Sequence, residues 1–175
     1  MPSLRDNCQL EIYLTTGKSK SMFFVMEAKD FNLQDQNGDY HKLSDYKGKW
    51  LLVYFYPKDD TPGCTQEAFN FRDAISEFIK RGVIILGISK DSIESHKKFA
   101  DKYSLNFTLL SDPDHLVIES YGAWGTKKFM GKEFTGTQRN SYLIDPEGIV
   151  AKEYRSVNPL SHFKQILTDL DQLLS

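Results

Sequence analysis

Cysteine is scarce in this 175-residue chain: Cys8 and Cys64 are the only two. Lying 56 positions apart, they make no disulfide framework, which fits a compartment that keeps thiols reduced. Nor do they assemble a tetrahedral zinc set with a paired histidine spacing, so no metal is expected. Charge of one sign is missing too. The chain has 22 Lys and Arg against 24 Asp and Glu, a net charge of -2, and therefore no long-range field to gather nucleic acid. The doublets Lys97-Lys98 and Lys127-Lys128 are too short to read as basic patches and are taken as solvated surface. No apolar run approaches the ~20 residues that span a bilayer. "MFFVM", placed after Lys18 and Lys20, is too short for a signal-peptide core. A soluble, cytoplasmic chain is expected, with no membrane partner and no nucleic-acid partner. Internal repeats and low-complexity tracts are also absent, and 40% hydrophobic residues suffice for one domain with a real core.

Residues 1 to 27 read as an N-terminal extension, polar and poor in core periodicity, with "QLEIYLTT" alternating as an edge strand would. From Ala28 to Ser175 the pattern is that of a compact domain. "DQNGD" marks a turn, and "WLLVYFYP", Trp50 to Pro57, is the continuous apolar run of a strand buried on both faces. Ala68, Phe71, Ile75, Phe78 and Ile79 then fall three or four apart, predicting one amphipathic helix that Gly82 ends. "VIILGIS" is a second buried strand, so strand, helix and strand predict a parallel crossover. A second helix carries Ile93, His96, Ala100 and Tyr103 on one side, and a short strand surrounds "FTLL". Asp112-Pro113 reads as an N-cap with proline at the first helical position, opening a helix through Tyr121. "SYLIDPEGIVAKEY" reads as a hairpin turning at Asp145 to Gly148. A last helix is predicted from Asn158-Pro159, with Leu160, Phe163, Ile166, Leu167, Leu170 and Leu174 as its apolar face. The fold class is α/β, a mixed central sheet with helices on both faces.

Cys64 stands where the first buried strand gives way to a helix. Thr61 suits the N-cap, Pro62 the first helical position, and Cys64 the third. There the unpaired N–H groups and the positive end of the helix dipole favour an anion, and a thiolate is that anion. The other reading is a buried, inert cysteine. Spacing removes several chemistries. Glu67 stands where C-x-x-C would need its second cysteine, and Asn70 where a phosphatase loop would need arginine. His41, His96, His115 and His162 are too scattered for any to be assigned as a protease base. "GTKKFMGK" misses the phosphate-binding loop by one residue between its glycines and by Glu133 after Lys132. Asn106-Phe107-Thr108 matches a glycosylation sequon, which is empty without secretion.

Pro57-Lys58-Asp59-Asp60-Thr61-Pro62-Gly63-Cys64 has the form P-x-x-x-T-x-x-C and resembles the active-site signature of the peroxiredoxins. With "LGIS", "LLSD", "YGAWG", "FMGK" and "RNSYLID" following in order, the chain from Ala28 to Ser175 is similar to the bacterioferritin comigratory protein, or peroxiredoxin Q, branch. The resemblance implies a thioredoxin-like fold and a thiol-dependent peroxidase acting on hydrogen peroxide and organic hydroperoxides without a cofactor. It implies Cys64 as the peroxidatic cysteine, Thr61 as its hydroxyl partner and Arg139 as the positive charge. Pro57 would cover the site, and the N–H groups of Gly63 and Cys64 would hold peroxide oxygens. The rivals are a peroxide sensor or redox-regulated binding protein, and a general thiol-disulfide oxidoreductase, which the missing C-x-x-C disfavours.

One departure from the branch stands out. Phe69 occupies the position, five residues on, where many members carry a resolving cysteine, and residues 92 to 104 contain no other candidate. The chain reads as a one-cysteine variant resolved by an external thiol, from thioredoxin or from glutathione with glutaredoxin. Cys8 is the single internal alternative. A monomer is expected, with a dimer left open.

Overall fold

The computed structural model describes residues 11–16 and 19–175, and side-chain surroundings from residue 25 onward. Cys8 lies outside the described residues. The extension carries an antiparallel hairpin of β1 (Glu11–Thr16) and β2 (Ser19–Phe24), a sheet of its own. Next come β3 (Asn32–Asp35) and β4 (Tyr40–Lys42), joined by the "DQNGD" turn. A 3-10 turn, Leu43–Tyr46, leads into β5 (Trp50–Phe55). Helices α1 (Pro62–Asp73) and α2 (Ile75–Lys80) precede β6 (Val83–Ser89), and α3 (Ile93–Tyr103) precedes β7 (Thr108–Ser111). The rest is α4 (Leu116–Ser120), the β8 (Trp124–Phe129) and β9 (Lys132–Thr137) hairpin, β10 (Ser141–Ile144), β11 (Val150–Tyr154) and α5 (His162–Leu174).

Seven strands form one mixed sheet in the order β11-β10-β5-β6-β7-β3-β4. The two continuous apolar runs, β5 and β6, pair in parallel near its middle, and β7 extends the parallel part. Alternation along β5 divides the core. Leu52 and Tyr54 face a layer containing α1, α2, α3 and α5, whereas Leu51, Val53 and Phe55 face Ile118 of α4 and the 3-10 turn. The mixed sheet with helices on both faces is as the sequence predicts.

Three helix boundaries differ from expectation. The helix after Cys64 breaks at Ala74, whose φ of -90° and ψ of 2° turn the chain. The turn buries Phe78 completely but leaves Ile79 65% exposed. The helix expected from Asp112 begins only at Leu116, because His115 takes a left-handed φ of 51°. Asp112 still caps it from outside, its Oδ2 accepting from the Ile118 N–H at 2.9 Å. The last helix begins at His162, since Asn158 Oδ1 accepts from the Leu160 N–H at 2.9 Å and holds a turn there. Leu160 is left outside the helix and exposed, Leu174 at the other end is exposed too, and the buried face includes His162 and Asp169.

Candidate active site

β5 runs out at Phe55 in the middle of the sheet, and the loop 57–61 carries the chain over its end into α1. Asp60 reverses direction there with a left-handed φ of 55°. Thr61 takes the extended N-cap conformation and Pro62 opens the helix, which puts Cys64 on the first turn as the sequence predicts. Thr61 does not cap with its side chain. Its hydroxyl donates back to the Lys58 carbonyl at 2.9 Å, bracing the loop, and no hydrogen bond joins it to Cys64 among the described residues.

Cys64 is buried, at 2% exposure. Arg139, between β9 and β10, donates from Nη2 to Cys64 Sγ at 3.2 Å and from Nη1 to Glu67 Oε2 at 2.8 Å. Its backbone is fixed in turn: the Arg139 carbonyl accepts from the Val157 N–H, and the next carbonyl, of Asn140, accepts from the Phe55 N–H. Gly63 makes room for this approach. A Cβ there would lie 2.8 Å from Arg139 Nη2, so glycine lets the guanidinium cross the first helical turn.

Glu67 escaped the sequence reading, which used it only to exclude C-x-x-C. Its signal was available, because positions three apart on a helix share a face. Burial pushes the Glu67 carboxyl up to about 7, against the opposing pull of Arg139. Its Oε1 and the Tyr54 hydroxyl are both buried without a partner. Burial, then the nearby Glu67 and Cys64, hold the Tyr54 phenol far above its usual range, so it stays neutral. Lys127, on β8, also senses the site. Burial and Arg139 push its ammonium down while Cys64 pulls the other way.

The loop is clamped along its length by α3. Asp59 accepts from Tyr56 Oη at 2.7 Å and from Ser95 Oγ at 2.8 Å, and meets His96 Nδ1 at 2.8 Å. Its own N–H donates to Asp91 Oδ2 at 2.9 Å. The ligand atoms of Asp59, Asp91 and His96 lie close enough to hold a cation, but they are already committed to this network, His96 Nε2 meeting the Leu110 carbonyl at 3.1 Å. Asp60 pairs with Lys102 at 2.7 Å. Phe69 is half-buried and packs edge-on against Tyr103 of α3, ring centroids 5.1 Å apart, with the Arg72 guanidinium 4.5 Å from its ring centroid.

The structure thus joins Cys64, Arg139 and Gly63 directly and sets Thr61 and Pro57 in the loop beside them. "GTKKFMGK" forms the β8–β9 hairpin, turning at Met130 and Gly131 with positive φ at both, which is hairpin rather than phosphate-loop geometry. Among the described residues no helix is long and apolar enough to cross a membrane.

A thiol facing a fixed guanidinium, on the first turn of a helix behind a thioredoxin-like sheet, defines the class as thiol-dependent peroxidase. The comparisons agree. The AhpC/TSA family model matches residues 26–153. Peroxiredoxin Bcp of Bacillus subtilis is 45% identical over 84% of this chain and 94% of its own length, and that of Escherichia coli 46% over 83% and 93%. The bacterioferritin comigratory protein of Xanthomonas campestris, whose structures concern its alkyl peroxide reduction activity, superposes with a TM-score of 0.78 at 36% identity. That match covers 83% of this chain and 92% of the other. BcpB of Mycobacterium tuberculosis gives 0.76 at 31%, over 86% and 97%. The chain belongs to the AhpC/TSA family, in its Bcp and peroxiredoxin Q branch.

Proposed function

We propose that Cys64 is the peroxidatic nucleophile, acting on hydrogen peroxide and organic hydroperoxides. The Cys64 thiolate attacks one peroxide oxygen; the S–O bond forms as the O–O bond breaks, leaving sulfenic acid on Cys64, and the departing hydroxide or alkoxide takes from solvent the proton that the thiol gave up, leaving as water or an alcohol. Arg139 stabilises the thiolate and the charge that develops as the O–O bond breaks. Thr61 accepts a hydrogen bond from the incoming peroxide while its own O–H goes on donating to the Lys58 carbonyl. The N–H groups of Gly63 and Cys64 hold the peroxide oxygens, and Pro57 shields the sulfur. The observation that carries this reading is the 3.2 Å contact from Arg139 Nη2 to Cys64 Sγ.

The catalytic unit is residues 28–175, a reading supported by a family match that starts at residue 26. Residues 1–27 take no part in the chemistry, and an external thiol, from thioredoxin or from glutathione with glutaredoxin, returns Cys64 to the thiol. A free, buried cysteine suits the reducing cytoplasm. The test is peroxide consumption by the parent, Cys64→Ser and Cys8→Ser, with dimedone trapping after one equivalent of peroxide. Cys64→Ser should be inactive yet folded, because oxygen replaces sulfur at little change in size but great loss of nucleophilicity. Cys8→Ser should turn over as the parent does, and dimedone should label Cys64. A quantitative Cys8–Cys64 disulfide in place of the adduct would make the extension part of the machinery.

A further inference from the structure

Against the start of the loop that leads to Cys64 lies a cleft of about 400 Å³. The catalytic loop supplies Pro57 and Lys58 to it, the end of β6 leads to Lys90, and the β8–β9 hairpin contributes Trp124, Lys127 and Thr137. Three ammonium groups line it against one carboxylate, Asp91, whose Oδ2 already accepts from the Asp59 N–H at 2.9 Å and from Ser89 Oγ at 2.7 Å. Lys80, Lys97, Lys102, Lys128 and Lys152 each have a carboxylate partner. Lys58, Lys90 and Lys127 have none among the described residues, as is true of other surface lysines; what sets these three apart is that they converge on one cleft.

A second observation is independent of the lysines. Thr137, 2% exposed, has a hydroxyl with no hydrogen-bond partner. Its carbonyl accepts from the Lys127 amine, so the cation and the unpartnered hydroxyl are held together. One wall is rigid and aromatic. Trp124 is stacked on His115 with centroids 4.1 Å apart and planes 2° from parallel, and Lys90 Nζ lies 5.3 Å from the indole. Phe134, 49% exposed, extends that wall. The cleft is also electrostatically coupled to the reacting sulfur, since Lys127 responds to both Cys64 and Arg139 and Thr137 stands two residues before Arg139.

We propose that this cleft binds a small organic molecule by its carboxylate and presents that molecule's reactive end to Cys64. Lys90 and Lys127 receive the carboxylate, Thr137 gains the hydrogen bond it lacks, and Trp124 with Phe134 covers the apolar part. The inference rests on Cys64 being the peroxidatic cysteine. Two reactants bring the same chemistry. A carboxylated hydroperoxide would oxidise Cys64 to sulfenic acid and leave as the alcohol. A carboxylated low-molecular-weight thiol would attack the sulfenic sulfur, forming an S–S bond and releasing water. A second molecule of that thiol would then cleave the mixed disulfide, freeing Cys64 and leaving as the small-molecule disulfide.

Stopped-flow measurements on the full chain separate the two sources. In the oxidation arm, cumene hydroperoxide is compared with its ring-carboxylated analogue. In the reduction arm, Cys64 sulfenic acid made with one equivalent of hydrogen peroxide is reduced by glutathione or by glutathione diethyl ester, with rates expressed per thiolate. In at least one arm the carboxylated reactant should be faster by about tenfold at low salt, and the advantage should shrink as salt is added. The ratio of carboxylated to neutral rates, taken within each variant so that any general loss of activity cancels, should fall towards unity in Lys90→Met and Lys127→Met. The arm that shows the effect names the source. A ratio near one in both arms, or one that survives both substitutions, overturns the proposal. Failure of hydrogen peroxide to oxidise Cys64 at all would instead remove the peroxidatic reading and this inference with it.

Discussion

Replacing Arg139 by methionine keeps the length of the side chain and deletes its charge, leaving Cys64 Sγ without its 3.2 Å donor. The second-order rate with peroxide should drop by about an order of magnitude or more, the usual size of a lost charge partner at an active site. Competition kinetics measures the effect, and an unchanged rate would return Arg139 to the scaffold. The same substitution removes the one hydrogen bond that the Glu67 carboxylate accepts among the described residues. Glu67 should then take up a proton still more readily, because burial continues to raise its pKa while the opposing charge is gone.

At the level of elements, the site depends on how closely β5 and β6 approach. Tyr54 stands opposite Gly87 across that parallel pair, and its ring lies over the glycine. A Cβ on Gly87 would meet the Tyr54 ring and Leu109 Cδ2 at 2.9 Å, in a strand buried on both sides. Gly87→Ala should therefore lower stability by roughly 1–3 kcal/mol, the cost of overpacking a filled core. Urea unfolding should show a lower midpoint with an unchanged slope, and a midpoint equal to or above the parent's would contradict the packing argument. Because Tyr54 and Cys64 share one core cluster, the shift should also slow peroxide reduction. α3 has a comparable role on the other side of the loop, tying Asp59, Asp60 and Phe69 to one rigid helix.

For the whole molecule, two buried groups give opposite dependences of stability on pH. Burial lowers the His162 imidazole to about 4 from 6.5, so its contribution is full above about 6.5 and is lost as pH falls towards 4. Glu67 is raised to about 7 from 4.5, so its contribution is full below about 4.5 and is lost as pH rises through 7. Between pH 5 and 6.5 the two slopes oppose each other, each at most ~1.4 kcal/mol per pH unit. The parent should show a shallow profile there, and Glu67→Gln should uncover a stability that falls on acidification. A Glu67→Gln profile as flat as the parent's would mean that His162 does not titrate in the fold as its burial requires. What the sequence by itself determined was local or periodic. The buried strands, the hairpin at Asp145 to Gly148 and the placement of Cys64 on a first helical turn follow from patterns within about twenty residues, and Arg139 was legible only through a family resemblance. Tertiary structure decided what joins distant segments: the Cys64–Arg139–Glu67 chain, the break at Ala74, the Asp59–His96 clamp and the lysine-lined cleft. The physical reason is that a buried charge or unpaired hydrogen-bonding group finds its partner across the sheet, where chain separation carries no signal, while periodicity reports only which way each residue faces.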